Sequence, residues 1–296
     1  MSDHETRPTR ALVLGGGGAV GVGWQTGLMA SLPEEGVDLS LADVVVGTSA
    51  GSLTGALLTA GRCLTDAHTA VMKFFNHFDP AARSKGAEAL ASAMQQVAAD
   101  PDSRRALIAV GRVAQEHSLM DEETYLSLLS QFAGVPWPKS FMCTAIDANT
   151  GELVVWGPDS GVSLQYALAA SMSVPTIFPT VPVHGHRYMD GGILSHLNAA
   201  AAPATDILLA LSCFALGDQS TGKGPRLASI AATVNDELTQ ARRTRKVLAI
   251  DPAFGDDMAA PNFMGQQEAD NALAMGELQA AHHGSRIRAL WQPDAQ

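Results

Sequence analysis

The chain has 296 residues, of which 46% are hydrophobic and 17% are charged. This length and apolar content can build a large buried core, which excludes low-complexity disorder and a small domain stapled by disulfides or metals. Lys and Arg number 19 against 30 Asp and Glu, so the formal net charge is −11. Nucleic acid is therefore not an expected partner, because it needs a basic surface. The 28 glycines call for a structural reason.

The three cysteines argue against a disulfide framework or a zinc site. Cys63, Cys143 and Cys213 are far apart, odd in number and without a C-x-x-C pair, so we expect a reducing compartment and no metal. Residues 1–10 are polar and lack the apolar core of a signal peptide. We therefore expect a disordered N-terminal tail over residues 1–10 and a cytoplasmic protein.

Three stretches without Asp, Glu, Lys or Arg, residues 11–33, 44–61 and 160–184, superficially resemble membrane spans. Glycines interrupt the first two and three prolines interrupt the third, so none would make a convincing spanning helix. The better interpretation is a buried α/β core.

The N-terminal part alternates strand and helix patterns. An apolar run at residues 11–14 ends in four glycines and is followed by a helical stripe. The run at residues 43–46 ends at Gly47 and is followed by a second helical stripe. Strands that alternate with helices predict a mainly parallel sheet inside a three-layer α/β/α sandwich.

The middle of the chain, about residues 66–139, shows helical patterns without a strand signal, and we expect a helical insertion that acts as a cap. No internal repeat or long linker is present, so residues 1–296 are predicted to form a single domain. Further strands are predicted at residues 141–146, 153–156, 187–189, 207–211 and 247–250, and further helices at residues 163–170, 227–242 and 265–282.

Residues 47–51, Gly-Thr-Ser-Ala-Gly, match the G-x-S-x-G pattern of a nucleophile elbow. The motif lies after a predicted strand and before a predicted helix, as that turn requires. Gly47 and Gly51 would allow the strand and the helix to approach closely, while Ser49 would lie at a helix N-terminus that favours negative charge. A small-residue turn that only packs a helix on a strand is the alternative.

The glycine loop at residues 15–18, with Gly21 after it, offers unhindered N–H groups at the start of a helix. Gly16, Gly18 and Gly21 also fit the dinucleotide fingerprint G-x-G-x-x-G, but that fold needs an acid at the end of the next strand, where this chain has Val46-Gly47. We therefore favour an oxyanion hole, with Gly17 and Gly18 as its main donors.

Asp190, which follows a short strand and precedes Gly191 and Gly192, is the candidate base for the serine. Together the glycine loop, the motif around Ser49 and the Asp-Gly-Gly at residues 190–192 resemble the patatin-like phospholipase family. The resemblance extends to residues 169–179 and 198–200 and is strong over residues 11–65 and 140–200.

The resemblance implies a lipid acyl hydrolase with Ser49 as nucleophile, Asp190 as general base and the backbone of Gly16 to Gly18 as oxyanion hole. It requires no cofactor or metal, and its substrate is a lipid ester met in transient contact with a membrane surface. One position departs from the family: Val20 stands where the glycine loop usually carries Arg or Lys. That departure leaves open whether the substrate is a phospholipid, a neutral lipid or a small ester.

Three other functions stay open. An α/β-hydrolase with a Ser-His-Asp triad could use His282 or His283, although only one strand precedes the predicted elbow. The second alternative is a member of the family that binds lipid without catalysis, and the third is a dinucleotide-binding protein. His186 shares a strand face with Asp190 and could line the same cleft, but a surface histidine is the commoner case.

Three lesser features have a structural and a functional interpretation. Phe74, Phe75 and Phe78 could line an acyl pocket, but core packing is favoured. The basic cluster, defined as Arg242, Arg243, Arg245 and Lys246, could bind anionic head groups, but a solvated helix end is favoured. Residues 174–179 form either a lipid-contacting rim or a buried connection.

Overall fold

The computed structural model describes residues 7–75, 85, 86, 88, 89, 92, 103–214, 216, 225–252 and 265–292. The strands are β1 Arg10–Leu14, β2 Val44–Gly47, β3 Phe141–Asp147, β4 Leu153–Trp156, β5 Val181–Val183, β6 His186–Asp190, β7 Ile207–Leu211 and β8 Lys246–Ile250. The α-helices are α1 Gly18–Ser31, α2 Ala50–Thr59, α3 Thr65–Phe75, α4 Ser103–Glu116, α5 Glu122–Leu128, α6 Leu164–Ser171, α7 Pro225–Ala241 and α8 Gln266–Trp291. Short 3-10 helices occur at Leu32–Glu35, Leu39–Leu41, Ser130–Phe132, Gly191–Ile193 and Ala199–Ala201.

The strands form one mixed sheet in the order β5-β6-β3-β2-β1-β7-β8, with β4 paired to β3. The pairs β1–β2, β1–β7, β2–β3 and β7–β8 are parallel. The pairs β3–β4, β3–β6 and β5–β6 are antiparallel. The predicted strands are confirmed, whereas β5 was not predicted because it has only three residues around Pro182.

Helices cover both faces of this sheet, which confirms the three-layer α/β/α prediction. Leu12 and Leu14 pack in the core cluster that includes α1, α2 and α8. Ala11 and Val13 pack on the other face, in a cluster with Val234 of α7. The alternation follows from the two-residue period of a strand, and fully buried strands explain the continuous apolar runs in the sequence.

Glycines bring the backbones of α1 and α8 into contact. A Cβ atom on Gly23 would collide with the carbonyl oxygen of Ala269, and one on Gly27 would collide with that of Leu273. Further along, Gly284 of α8 packs against Glu35, in the 3-10 helix that follows α1. The two helices therefore run in the same direction, and α8 continues nine residues beyond its predicted end.

The described parts of the helical insertion belong to the layers of the sandwich. Leu107 and Val110 of α4 pack on Ile146 of β3, and Gly111 lies so close to the carbonyl of Ala148 that a Cβ atom would collide with it. Tyr125 of α5 is buried in the main core. The cap itself stays a prediction, because most of residues 76–102 lie outside the described residues.

Thr9 and Arg10, at the end of the predicted N-terminal tail, are ordered. Arg10 already belongs to β1, and the backbone N–H of Thr9 donates a 2.8 Å hydrogen bond to the Asp206 carboxylate. Residues 1–6 lie outside the described residues.

The ends of β2 and β6 meet on one edge of β3. Cys143 of β3 pairs with Gly47 of β2 on that edge, and Ala145, two residues further, pairs with Asp190 of β6. Strand β4 occupies the opposite edge, because Cys143 and Ala145 pair with it as well. Because β2 and β6 run in opposite directions, their carboxyl ends point toward each other at Thr144, and this meeting point positions the candidate site.

Candidate active site

Ser49 occupies a strained turn between β2 and α2. Its φ is 54° and its ψ is −118°, a conformation that costs a non-glycine residue on the order of 1–3 kcal/mol and is common at functional sites. A Cβ atom on Gly47 would collide with the carbonyl oxygen of Gly51, and one on Gly51 would collide with that of Leu14. Both motif glycines are thus needed for the approach of β1, β2 and α2.

Hydrogen bonds hold this turn from several sides. The N–H of Ser49 donates to Oγ of Ser171 at 3.0 Å, and the Ser52 hydroxyl donates to the Ser49 carbonyl at 2.6 Å. The N–H of Thr48 donates to the Leu14 carbonyl at 3.0 Å. These bonds fix the backbone of Ser49, and the backbone sets the direction of its side chain. Ser49 is only 7% exposed.

Asp190 is the last residue of β6 and is 3% exposed. Its carboxylate accepts a 2.7 Å hydrogen bond from the N–H of Gly192, and the Ser49 side chain lies near enough to lower its pKa. Burial raises the pKa of Asp190 to about 7, and Ser49 and Gly192 oppose that rise. A carboxylate with such a pKa can exchange protons near neutral pH.

Tyr125, from the helical insertion, lies near this carboxylate. Burial and, to a lesser degree, the charge of Asp190 raise the pKa of Tyr125 well above its usual range. Its hydroxyl donates to the carbonyl of Ala169 at 2.8 Å, and its ring stacks on Phe178 with centroids 4.8 Å apart. Tyr125 thus forms a neutral, apolar wall beside the acid.

The glycine loop lies directly against the serine. A Cβ atom on Gly16 would be 3.0 Å from Cβ of Ser49. The N–H of Gly16 donates to the His196 carbonyl at 2.7 Å, whereas the N–H groups of Gly17 and Gly18 have no protein acceptor among the described residues. These two groups lie at the N-terminus of α1, where an anion is favoured.

The other motif glycines provide space at the same junction. A Cβ atom on Gly21 would be 3.0 Å from Sγ of Cys213, and one on Gly191 would be 2.5 Å from Oγ1 of Thr144. A Cβ atom on Gly192 would be 3.0 Å from Oδ1 of Asp190. Cys213 is buried and reduced, as is Cys143.

Asn198 is a supporting residue to which the sequence assigned no role. It is 2% exposed with a φ of 53°, and its amide nitrogen lies 3.1 Å from Oγ1 of Thr48, 3.2 Å from the carbonyl oxygen of Gly191 and 2.7 Å from that of Ser195. It therefore ties the loop after Asp190 to the residue before Ser49. Its position after the Asp-Gly-Gly motif was the only sequence signal.

The candidate histidines do not reach the site. His186 is half exposed, lies at the opposite end of β6, roughly 13 Å along the strand from Asp190, and contacts Asp147 with its Nδ1 2.7 Å from Oδ2. His282 and His283 immediately precede Gly284, which packs on Glu35 beyond the C-terminal end of α1. The glycine loop is at the other end of that helix, roughly 20 Å away, so neither His282 nor His283 can form a triad with Ser49.

The remaining candidates are placed away from the serine or inside the core. Residues 174–179 are buried except for the half-buried Val174, so they form a connection and not a rim. Val20 is 1% exposed in the core, a position without room for a solvated cation. Phe74 and Phe75 lie in α3 but their side chains, like Phe78, fall outside what the structure describes.

Three members of the basic cluster, Arg242, Arg245 and Lys246, line an open cavity together with Pro8, Asp206 and Thr244. Lys246 begins β8, and Asp206 immediately precedes β7. Both strands run parallel to β1, whose carboxyl end leads to the glycine loop. The cluster therefore lies at the amino ends of the parallel strands, whereas Ser49 lies at their carboxyl ends.

Among the described residues, no three His, Cys, Asp or Glu side chains come together as a metal site would need. Among the helices described, none has the length and apolar character of a membrane span.

The fold and site define an α/β/α protein with a buried Ser-Asp pair beside a glycine loop. The family model described as patatin-like phospholipase matches residues 12–203, which is more than half of the chain and includes Ser49 and Asp190. The chain belongs to the patatin-like phospholipase family, and this membership supports lipid acyl hydrolase activity in general. No curated protein matches the chain.

Solved structures similar to this chain include those of VipD and ExoU. VipD from Legionella pneumophila is 13% identical with a TM-score of 0.46, over 95% of this chain and 67% of that one. The type III effector ExoU is 13% identical with a TM-score of 0.43, over 95% of this chain and 53% of that one. ExoU in complex with SpcU from Pseudomonas aeruginosa is 18% identical with a TM-score of 0.38, over 91% and 53%. The present chain thus spans about two thirds of VipD and half of ExoU.

Proposed function

We propose that the protein hydrolyses carboxylic esters of lipids through a catalytic dyad of Ser49 and Asp190. The observation that carries this proposal is the placement of a serine in a strained turn beside a buried carboxylate, on one edge of β3. A nucleophile with a base beside it is the minimum that nucleophilic catalysis requires.

In the first half-reaction, Oγ of Ser49 attacks the ester carbonyl carbon while Asp190 takes the hydroxyl proton. The carbonyl oxygen becomes an oxyanion, which the N–H groups of Gly17 and Gly18 stabilise from the N-terminus of α1. The tetrahedral intermediate then collapses, Asp190 returns the proton to the leaving alkoxide, and an acyl-Ser49 remains.

In the second half-reaction, water attacks the acyl carbon and Asp190 takes its proton. The same N–H groups hold the second oxyanion, and the fatty acid leaves as Ser49 is reprotonated from Asp190. The scheme uses only side chains and backbone groups of this chain. Because the lipid is held in a membrane, the reaction also requires transient contact with a membrane surface.

A fluorophosphonate probe tests the dyad directly, because it reacts with activated serines. We expect labelling at Ser49, loss of labelling in Ser49→Ala, and labelling at least about 100-fold slower in Asp190→Asn. Ser40→Ala, at an exposed serine, is the matched control and should label like the unaltered protein. Equal labelling of Ser49→Ala would overturn the dyad.

Assays on vesicles of phosphatidylcholine, emulsions of triacylglycerol and short p-nitrophenyl esters then define the ester class. Hydrolysis of any of these that Ser49→Ala abolishes supports the proposal. Binding to vesicles without turnover of any ester, and without probe labelling, would show a lipid-binding protein that is not an enzyme.

A further inference from the structure

Gln25 of α1 is fully buried and contacts both halves of the candidate site. Its Nε2 donates to the carbonyl oxygen of Gly15 at 2.8 Å, and its Oε1 accepts from the hydroxyl of Thr54 at 2.6 Å. Gln25 and Thr54 are both 0% exposed. Burying an amide costs free energy unless well-placed partners satisfy its hydrogen bonds. This network therefore favours one arrangement of the groups that it joins.

Of the three partners of Gln25, Cys213 accepts a weaker bond from Nε2 at 3.2 Å, and the other two lead to different parts of the site. Thr54 lies in α2, the helix that begins immediately after Ser49. Gly15 opens the glycine loop, and its carbonyl also lies 3.3 Å from Sγ of Cys213. One side-chain amide therefore connects the helix behind the nucleophile with the loop that provides the oxyanion donors.

The peptide unit between Gly15 and Gly16 is held at both ends. Its carbonyl accepts from Gln25, and its N–H donates to the His196 carbonyl. Consecutive glycines have little backbone preference of their own, so outside contacts must orient the loop. With this peptide unit fixed, only the rotations at Gly16 and Gly17 remain to set the directions of the next N–H groups.

We propose that Gln25 is a positioning residue that orients the N–H groups of Gly17 and Gly18 relative to Ser49. This inference rests on the proposed function. Gln25 does not touch the substrate; it acts through the loop, and Thr54 orients its amide by occupying Oε1. A change at Gln25 should therefore slow the chemical step more than it weakens substrate binding, because oxyanion contacts are made chiefly in the transition state.

The test compares Gln25→Met, which keeps the length and removes the hydrogen bonds to Gly15, Thr54 and Cys213, with Gln240→Met at an exposed glutamine. Fluorophosphonate titration counts the active sites, and kcat is expressed per titrated site. We expect Gln25→Met to lose about 10- to 100-fold in kcat per site with KM changed less than about threefold. A residue with only a structural role would lower the number of active sites and leave kcat per site unchanged, which would overturn the proposal.

Thr54 provides a second pair of variants if Gln25→Met does not fold. Thr54→Val removes the hydroxyl that orients the amide, and Thr54→Ser retains it. We expect kcat per site to fall about tenfold in Thr54→Val and to be restored in Thr54→Ser. Equal kcat per site in the two variants would contradict the proposal.

Hydrogen exchange separates this inference from the dyad itself. In Gln25→Met, the amides of residues 15–19 should exchange at least about tenfold faster, while those of β7 stay protected. Failure of Ser49 to label in the unaltered protein would overturn the proposed function, and exchange would still decide whether Gln25 anchors the loop. Normal labelling with unchanged exchange and kcat would overturn the inference alone.

Discussion

The hydroxyl groups of Thr48 and Thr144 lie 2.8 Å apart at the point where β2 and β6 end against β3. Thr48 precedes the nucleophile, and Thr144 lies between the β3 residues that pair with Gly47 and Asp190. The bond therefore ties the turn of Ser49 to the strand that aligns it with its acid.

Removing this bond should disturb the site without removing a reacting group. Thr144→Val leaves a buried hydroxyl of Thr48 with one partner fewer, at a cost of about 1–3 kcal/mol in the free energy of unfolding. We expect kcat per titrated site to fall about tenfold because the elbow is less well aligned. Thr144→Ser keeps the hydroxyl and should stay within about threefold of the unaltered protein; equal losses in the two variants would contradict this role.

The activity should depend on pH through Asp190. The base must be ionised, and burial raises its pKa to about 7, so kcat/KM should increase about tenfold per pH unit below 7 and level off above it. The measurement is kcat/KM for a soluble short ester between pH 5 and 9. A profile that is flat from pH 5.5 to 8 would be incompatible with Asp190 as the base.

The same pKa shift predicts that Asp190 weakens the fold at neutral and alkaline pH. The pKa of the folded state lies above the ordinary 3.8 of an aspartate, so the folded state favours the neutral carboxyl. The contribution of the neutral carboxyl to the free energy of unfolding is fully present below about pH 4 and is lost as pH rises through about 7. Asp190→Asn should therefore raise the free energy of unfolding by roughly 2–4 kcal/mol at pH 8, and by little at pH 4, in denaturant titrations.

That stabilisation should accompany the loss of activity, since the same ionised carboxyl is costly to bury and needed as a base. A stabilisation of equal size at both pH values would instead indicate a change in packing. Asp206→Asn, at an exposed carboxylate whose pKa is lowered by hydrogen bonds from Thr9, is a useful contrast. It should destabilise, and only at pH values above the ordinary carboxyl pKa.

The contact between α1 and α8 should not tolerate a single methyl group. In Gly27→Ala the new Cβ atom would collide with the carbonyl oxygen of Leu273, so the helices must separate, at a cost of at least about 2 kcal/mol. Gly157→Ala is the control, because its nearest atom, Cγ of Met142, would be 3.4 Å away. Thermal unfolding of the two variants should differ clearly, and equal melting temperatures would disprove the close approach.

The basic cluster should have no part in hydrolysis. It lies at the amino ends of β7 and β8, whereas Ser49 follows the carboxyl end of β2. A membrane that reaches the serine therefore faces the other ends of the strands. The double variant Arg242→Glu, Lys246→Glu should hydrolyse phosphatidylglycerol vesicles within about twofold of the unaltered protein. A much larger loss, abolished by high salt in the unaltered protein, would show that the cluster binds anionic head groups.

The turns, most strands and the layers could be predicted from the sequence, because they depend on local chemistry. A sharp strand-to-helix turn needs small residues at set positions, which is why the motif around Ser49 and the glycine loop could be placed on their elements. Apolar runs between such turns predicted seven of the eight described strands, and the alternation of strands and helices predicted the layers.

Only the tertiary structure decided which of these local features meet. Ser49 and Asp190 are brought together because β2 and β6 pair with the same edge of β3, and such pairing between distant segments leaves no local trace in the sequence. The sequence also gives no local sign of the hydrogen bond that occupies the N–H of Gly16, of the burial of residues 174–179 or of the contacts of the Gln25 amide. A residue's type shows what chemistry it can perform, whereas strand register and helix packing determine what it touches.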